Sequence, residues 1–162
     1  MGTPLEPLAL DILVRRVLAI RQSSPSRLKP QVRVVYDADN LPLVWADEAR
    51  LQQVLHNLLL NAEEAIGAKG AIRITAEPLA ATLRISVDDL GSPSTSAERI
   101  AAFEHLALIN DNPDRAPQPG LRLRVTRQVV EALGGQIGME ARGRFGIRTW
   151  FTLPLADQAA LN

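Results

Sequence analysis

Apolar residues recur along the start of the chain at the three- and four-residue spacing of one helix face. This spacing covers Leu8–Arg21 and stops at the sequence SSPS, which predicts a helix over that stretch. Val32–Tyr36 is short and β-branched, and Leu43–Trp45 follows a turn-rich segment, so both are predicted to be strands.

The strongest pattern predicts a long helix that begins at Asp47, a favourable N-cap, and stops at Gly67. Its apolar face is broad and rich in leucine. Asn57 and Asn61 lie four residues apart, and therefore on one side of the helix, at the margin of this face. Glu64 continues the same line.

The second half alternates strands and helices. Ala71–Glu77 and Thr82–Val87 are predicted antiparallel neighbours, and Ala97–Leu108 and Leu121–Leu133 are predicted helices. The sequences QIGMEA and IRTWFTLPL predict a final hairpin around RGRFG. Locally paired strands with helices on one face define the α+β class, here a two-layer sandwich.

Composition narrows the possible functions. A chain of 162 residues fits a single domain, and 18 basic against 18 acidic residues leave no net charge to attract nucleic acid. The absence of cysteine excludes thiolate metal sites, and Lys29 and Lys69 do not fit a lysine-dependent phosphate loop. No apolar run is long enough to span a bilayer, so we expect a cytoplasmic domain whose parent protein is free to be membrane-anchored.

The stretch VDDLGSPS carries the first candidate site. Strand alternation places Val87 and Asp89 on one face, so Asp89 is expected to point into the interior, whereas Asp88 is expected to lie in water. A buried carboxylate needs donors, and an adenine amino group is one such donor, with Gly91 allowing backbone to approach the ring. A plain turn with surplus carboxylates explains the same residues.

Two further features are open to two interpretations each. Asn57 and Asn61 are open to two interpretations: they are exposed polar residues, or they are oxygen ligands of a Mg²⁺ ion whose other ligands are phosphate and water. Gly120 precedes a helix whose first residues include three arginines, and this charge calls for either a bound anion or an acidic side chain nearby. The three are Arg122, Arg124 and Arg127.

Taken in order, these segments resemble the ATP-binding catalytic domain of bacterial sensor histidine kinases, within the GHKL (Bergerat-fold) group that includes gyrase B, MutL and heat-shock chaperone ATPases. DEARLQQVLHNLLLNAEEAI is similar to the N box and VDDLG to the adenine-binding G1 box. AAFEHL is similar to the F box, PGLRLRVTRQVVEALGG to the G2 box and GRFGIRTWFTLP to the closing hairpin. The resemblance covers about Leu8–Leu155 and implies one domain over residues 1–162, with a mixed, mostly antiparallel sheet covered on one face by helices.

The resemblance implies roles for individual residues. Asn61 would hold Mg²⁺, Asn57 would support the phosphates of ATP, Asp89 would accept from the adenine amino group, and Gly91 would underlie the ring. Hydrolysing relatives carry a glutamate at the position of Asn57, so an asparagine there favours phosphate transfer to a histidine over hydrolysis.

On the phosphate side, the resemblance places nucleotide-binding roles on Gly120, Leu121 and Arg122. Here the family pattern GxGxG is reduced to one glycine, and in the G1 box Pro93 stands where DxGxG has its second glycine. The F box has Leu106 where a second phenylalanine is usual, although Phe103 is kept.

These departures leave two functions open. The first is an active kinase domain that binds Mg·ATP and transfers the γ-phosphate to a histidine. The second is a degenerate domain with weak or no turnover that acts as a regulatory or protein-binding module. A serine-directed kinase of the anti-sigma type and an unrelated sandwich are lesser alternatives.

The phosphoacceptor is expected on another domain. His56 and His105 lack the acidic residue that usually follows an acceptor histidine, so both are expected to have structural or surface roles. The resemblance implies a separate dimerisation hairpin as the direct partner and a response regulator as an indirect one. Because dimerisation in this family comes chiefly from that hairpin, the isolated chain is expected to be a monomer.

Overall fold

The computed structural model describes residues 4–23, 32–38, 40–66, 70–101 and 119–156. Its helices are α1 (Leu10–Ser23), α2 (Glu48–Ala65) and α3 (Pro119–Ala132), and residues 96–101 are also helical. Its strands are β1 (Glu6–Leu8), β2 (Val32–Asp37), β3 (Val44–Ala46), β4 (Gly70–Pro78), β5 (Thr82–Leu90), β6 (Ile137–Ala141) and β7 (Gly146–Pro154). No helix within these ranges is long and apolar enough to cross a membrane.

Five strands form one mixed sheet in the order β2-β4-β5-β7-β6. The β2–β4 pair is parallel and the other three pairs are antiparallel, which confirms the predicted α+β class and the final hairpin. A second, two-stranded sheet joins β1 to β3. The sequence analysis missed β1, since three residues around Pro7 carry too little alternation to indicate a strand.

The hydrophobic core lies between one face of the large sheet and the helices. Alternate residues of the central strands point to this face and are almost completely buried. Helices α2 and α3 pack on this face, and α1 packs against α2. The sheet contributes Ile72, Ile74, Leu83, Ile85, Val87, Phe151 and Leu153 to this core, and α2 contributes Leu51, Val54, Leu55, Leu58, Leu59 and Ala62.

Several element bounds differ from the predicted ones. Strand β5 continues through both aspartates to Leu90, because Leu90 pairs with Ala71 of β4 on one side and Gly146 of β7 on the other. Helix α3 begins at Pro119, so Gly120 lies inside its first turn. Helix α2 ends at Ala65, and the predicted stop at Gly67 lies outside the described residues.

Asp47 is the predicted N-cap of α2, and its Oδ1 accepts a hydrogen bond from the Ala49 amide at 3.0 Å. Asp47→Ala removes this acceptor and leaves a helix N–H without its partner, so the free energy of unfolding should fall by about 1 kcal/mol. Asp47→Ser is the matched control because serine also caps helices. Urea denaturation of both variants tests this, and equal losses would contradict a capping role.

Candidate functional site

The candidate site begins at the end of β5, where two consecutive aspartates point to opposite faces of the sheet. Both are buried inside a strand that is paired on both sides, with Asp88 1% and Asp89 3% exposed. Neither belongs to a turn, so the interpretation of VDDL as a plain turn is wrong. A buried carboxylate requires donors, and the two aspartates find different ones.

Asp89 faces the core side, as strand alternation predicts. Its Oδ1 accepts from the Ile147 amide of β7 at 3.3 Å. The Arg99 guanidinium also binds it in a bidentate manner, with Nη1 2.5 Å from Oδ1 and Nη2 2.7 Å from Oδ2. The carboxylate that the resemblance assigns to adenine is therefore paired with a cation of the same chain.

Asp88 faces the opposite side of the sheet, and the expectation that it lies in water is wrong. Arg148 of β7 donates to it from Nε at 2.8 Å and from Nη2 at 3.0 Å, and Arg142 Nε lies 3.3 Å away. The hydrogen bond to Asp88 raises the pKa of the Arg148 guanidinium. These contacts make Asp88 a structural carboxylate and separate its role from that of Asp89.

The loop after β5 is held against the β6–β7 hairpin. Gly91 has φ of 105°, a left-handed conformation that favours glycine, and it turns the chain out of the strand. The Ser92 amide then donates to the Phe145 carbonyl at 3.2 Å, and the Ser96 amide donates to the Arg144 carbonyl at 2.7 Å. The start of the helical segment 96–101 is thereby fixed relative to the end of β5.

The C-terminal end of helix α2 lies at this end of the sheet. A Cβ on Gly70 would lie 2.4 Å from the Leu90 carbonyl oxygen and 2.5 Å from an Ile66 methyl, so the C-terminus of α2 adjoins the end of β5. Asn61 is five residues before Ile66, about 7.5 Å along the helix axis. The last turns of α2, which include Asn61, and the Asp89 end of β5 are therefore neighbouring parts of the molecule.

The two asparagines are half-buried, which is the position that the margin of the apolar face predicts. Asn57 Nδ2 donates to Thr126 Oγ1 of α3 at 3.1 Å and so connects the two helices. Glu64 is exposed one turn beyond Asn61. Among the described residues no group of three or more acidic or histidine side chains is placed to hold a metal ion.

The phosphate-side residues are described only in part. Gly120, Leu121 and Arg122 have helical backbone in the first turn of α3, and their side chains lie outside the described part. Arg127 pairs with Glu131, one turn further along the helix, at 3.0 Å. An acidic side chain therefore neutralises part of the positive charge of this helix.

The remaining predicted positions are the histidines and the F box. His56 is exposed on α2, in agreement with the surface role expected for it. Phe103, His105 and Leu106 of the F box lie outside the described residues.

Arg99 is the site residue that the sequence analysis missed. It lies ten positions after Asp89, and no spacing rule couples the end of a strand to a residue at that distance. Arginine beside an acidic residue at the start of a helix is a common surface pattern. Only the fold of the intervening loop brings the guanidinium onto the carboxylate.

A sequence profile of the family described as "Histidine kinase-, DNA gyrase B-, and HSP90-like ATPase" matches residues 46–157. Among curated relatives, the adaptive-response sensory kinase SasA of Synechocystis is 33% identical over 152 residues, which are 92% of this chain and 39% of SasA. The sensor histidine kinase ZraS of Escherichia coli is 33% identical over 151 residues, which are 93% of this chain and 32% of ZraS. The chain thus spans between a third and two fifths of these relatives.

Solved structures give the same result for the fold. The nucleotide-free catalytic domain of the histidine kinase ThkA superposes with a TM-score of 0.73 at 28% identity, over 94% of this chain and 97% of that domain. ThkA has also been solved in complex with the response regulator protein TrrA. The two-layer arrangement of this chain is that of a histidine kinase catalytic domain.

Proposed function

Because the chain belongs to the family of histidine kinase-, DNA gyrase B- and HSP90-like ATPases, we propose that it is the ATP-binding catalytic domain of a two-component sensor histidine kinase. In this proposal residues 1–162 form one catalytic domain that binds Mg·ATP and transfers the γ-phosphate to a histidine. The observation that carries the proposal is the inward-facing carboxylate of Asp89, buried at the end of β5 directly before the glycine turn.

Asp89 supplies the contact to the base. Its carboxylate accepts a hydrogen bond from the exocyclic amine of adenine, a donor that a 6-oxo purine lacks. The left-handed turn at Gly91 keeps side-chain atoms away from the face of the ring. Burial at 3% exposure keeps water from competing for this acceptor and strengthens the contact.

Asn61 supplies the contact to the metal. Its amide oxygen is a hard, neutral ligand of the kind that Mg²⁺ accepts, and its half-buried place on α2 near the end of β5 fits a metal carried in by phosphates. When bound, Mg²⁺ neutralises the charge that develops on the phosphates during transfer. Asn61 would contribute one ligand, and phosphate oxygens and water the remainder.

Asn57 orients the phosphate region without taking a proton. Its side chain is a neutral amide held to Thr126 of α3, so it has no basicity with which to activate water. In combination with Gly120, Leu121 and Arg122 at the start of α3, it would position the triphosphate for attack by a histidine. Catalysis by such a domain consists mainly of positioning and charge neutralisation.

The partners follow from the same proposal. A separate dimerisation and phosphoacceptor domain of the parent kinase would supply the histidine, and a response regulator would receive the phosphate afterwards. The domain would work in the cytoplasm, where ATP and the regulator are found, and would be monomeric by itself. Nucleic acid has no part in it.

A second function is favoured by one specific observation. Both oxygens of Asp89 are bound by Arg99, so adenine meets an acceptor that is already paired. A domain in which this pair is permanent would bind ATP weakly or not at all and would serve as a regulatory or protein-binding module. Pro93, in the place of a glycine in the family pattern, points in the same direction.

Asp89→Asn tests the assignment of the base contact. The substitution keeps the shape of the side chain but removes the charge and turns one acceptor into a donor, so affinity for ATP should fall about tenfold or more. Calorimetric titration of the folded domain with ATP and Mg²⁺ measures the effect. Asp37→Asn is the matched control, since Asp37 pairs with Arg73 at the surface.

The outcomes separate the two functions. Weaker binding by Asp89→Asn and unchanged binding by Asp37→Asn support the kinase domain. Equal affinity of Asp89→Asn and the parent protein would overturn the role of Asp89. No heat with millimolar ATP would favour the regulatory module.

A further inference from the structure

The carboxylate of Asp89 is nearly saturated by protein donors. A carboxylate has about four acceptor positions. Arg99 fills two of them at 2.5 and 2.7 Å, and the Ile147 amide fills a third at 3.3 Å. The Asp89 side chain is 5% exposed and the Arg99 side chain 19%, so this pair is shielded from water that would weaken it.

The helical segment that carries Arg99 is anchored to the β6–β7 hairpin. Ser96 starts the helical segment 96–101, its amide donates to the Arg144 carbonyl, and its hydroxyl donates to the Gly143 carbonyl at 2.9 Å. Arg99 lies three residues further on. The loop and hairpin that position Asp89 therefore also position its cation, and a guanidinium stays charged at any physiological pH.

We propose that Arg99 competes with the nucleobase for Asp89 and thereby determines how strongly, and how selectively, the site binds adenine. This inference rests on the proposed function, in which Asp89 is the base contact. A bidentate, charge-assisted pair is stronger than one hydrogen bond from a neutral amine. Adenine therefore binds Asp89 only in the fraction of molecules in which Arg99 has turned away.

The size of the effect follows from that fraction. The apparent dissociation constant is the intrinsic constant divided by the competent fraction, so a fraction of about one tenth weakens binding about tenfold. The same competition reduces discrimination between bases, because ATP must displace Arg99 to reach the carboxylate, whereas ITP, which has a 6-oxo group in place of the amine, gains nothing from doing so. The parent protein should accordingly prefer ATP to ITP less strongly than a variant without this arginine.

Arg99→Gln is the direct test, with ATP and ITP as the calorimetric probes. Glutamine cannot form the charged bidentate pair, so affinity for ATP should rise about tenfold while affinity for ITP changes little. Arg99→Lys is the second variant in case the glutamine form does not fold, because lysine keeps a cation near Asp89 but lacks the planar fork. Arg144→Lys is the control, an exposed arginine on the adjoining hairpin.

The possible outcomes distinguish competition by Arg99 from the base contact of Asp89 and from the proposed function. A higher ATP to ITP affinity ratio in the Arg99 variants, with Arg144→Lys at the parent value, supports the competition. Unchanged ATP affinity and an unchanged ratio in both Arg99 variants overturn it. If Asp89→Asn still weakens ATP binding in those proteins, the base contact survives and only the competition fails. No ATP binding by any variant overturns the proposed function itself.

Discussion

Arg148→Met should lower the free energy of unfolding by about 3 kcal/mol, the lower end of the cost of breaking a buried ion pair. The substitution keeps the aliphatic stem but removes the two hydrogen bonds to Asp88, a carboxylate with 1% exposure. Arg142, which lies 3.3 Å from Asp88 and is 45% exposed, still offsets part of the buried charge. Urea denaturation, followed by circular dichroism, measures the loss.

Arg73→Met is the matched control for this prediction. Arg73 pairs with Asp37 at 2.7 Å on the same face of the sheet, but their side chains are 49% and 63% exposed. Exposed pairs contribute about 0 to 1 kcal/mol, so this variant should denature close to the parent midpoint. Similar losses in Arg73→Met and Arg148→Met would mean that burial of Asp88 does not decide the cost.

Phe151→Ala should lower the free energy of unfolding by about 3 to 5 kcal/mol. Phe151 is 0% exposed on the core face of β7, opposite Ile85 of β5, and truncation would leave a cavity in the centre of the sheet. Because the free energy of unfolding of a small domain is about 5 to 15 kcal/mol in total, this variant should lose a large part of it. Its thermal midpoint should fall accordingly in calorimetry.

Phe145→Ala provides the comparison of equal chemistry at the surface. Phe145 is 45% exposed in the β6–β7 turn, and its contact with the loop is made by its backbone carbonyl, which the substitution keeps. Its loss should stay within about 0.5 kcal/mol. A Phe145→Ala loss as large as that of Phe151→Ala would place the core elsewhere than between the sheet and the helices.

The sequence predicted the elements whose pattern is local. The long helix α2, the β4–β5 pair and the final hairpin each carry their own periodicity and their own turn or cap signals, such as Asp47. Alternation along β5 also predicted the inward direction of Asp89. The parallel β2–β4 pair joins strands separated by a helix, and pairing over that distance leaves no local pattern.

The charge partners were beyond local patterns for the same reason. Asp88 is buried because Arg142 and Arg148 come from a hairpin more than fifty residues later, and a sequence does not display that meeting. Arg99 reaches Asp89 only because the loop between them is fixed to the hairpin. The two aspartates could thus be picked out from the sequence, whereas the arginines that pair with them are brought together only by the fold.

The late position of β7 in the chain has a consequence for synthesis. A nascent chain that has reached residue 141 contains β5 but lacks the strand that will cover one of its edges, and it also lacks Arg148. Open strand edges invite pairing with other chains, and charged side chains on such an edge oppose it. Until β7 has been synthesised, the negative charge of Asp88 at the open edge of β5 has no Arg148 to pair with. The carboxylate that is paired in the finished sheet therefore also opposes aggregation of the unfinished one.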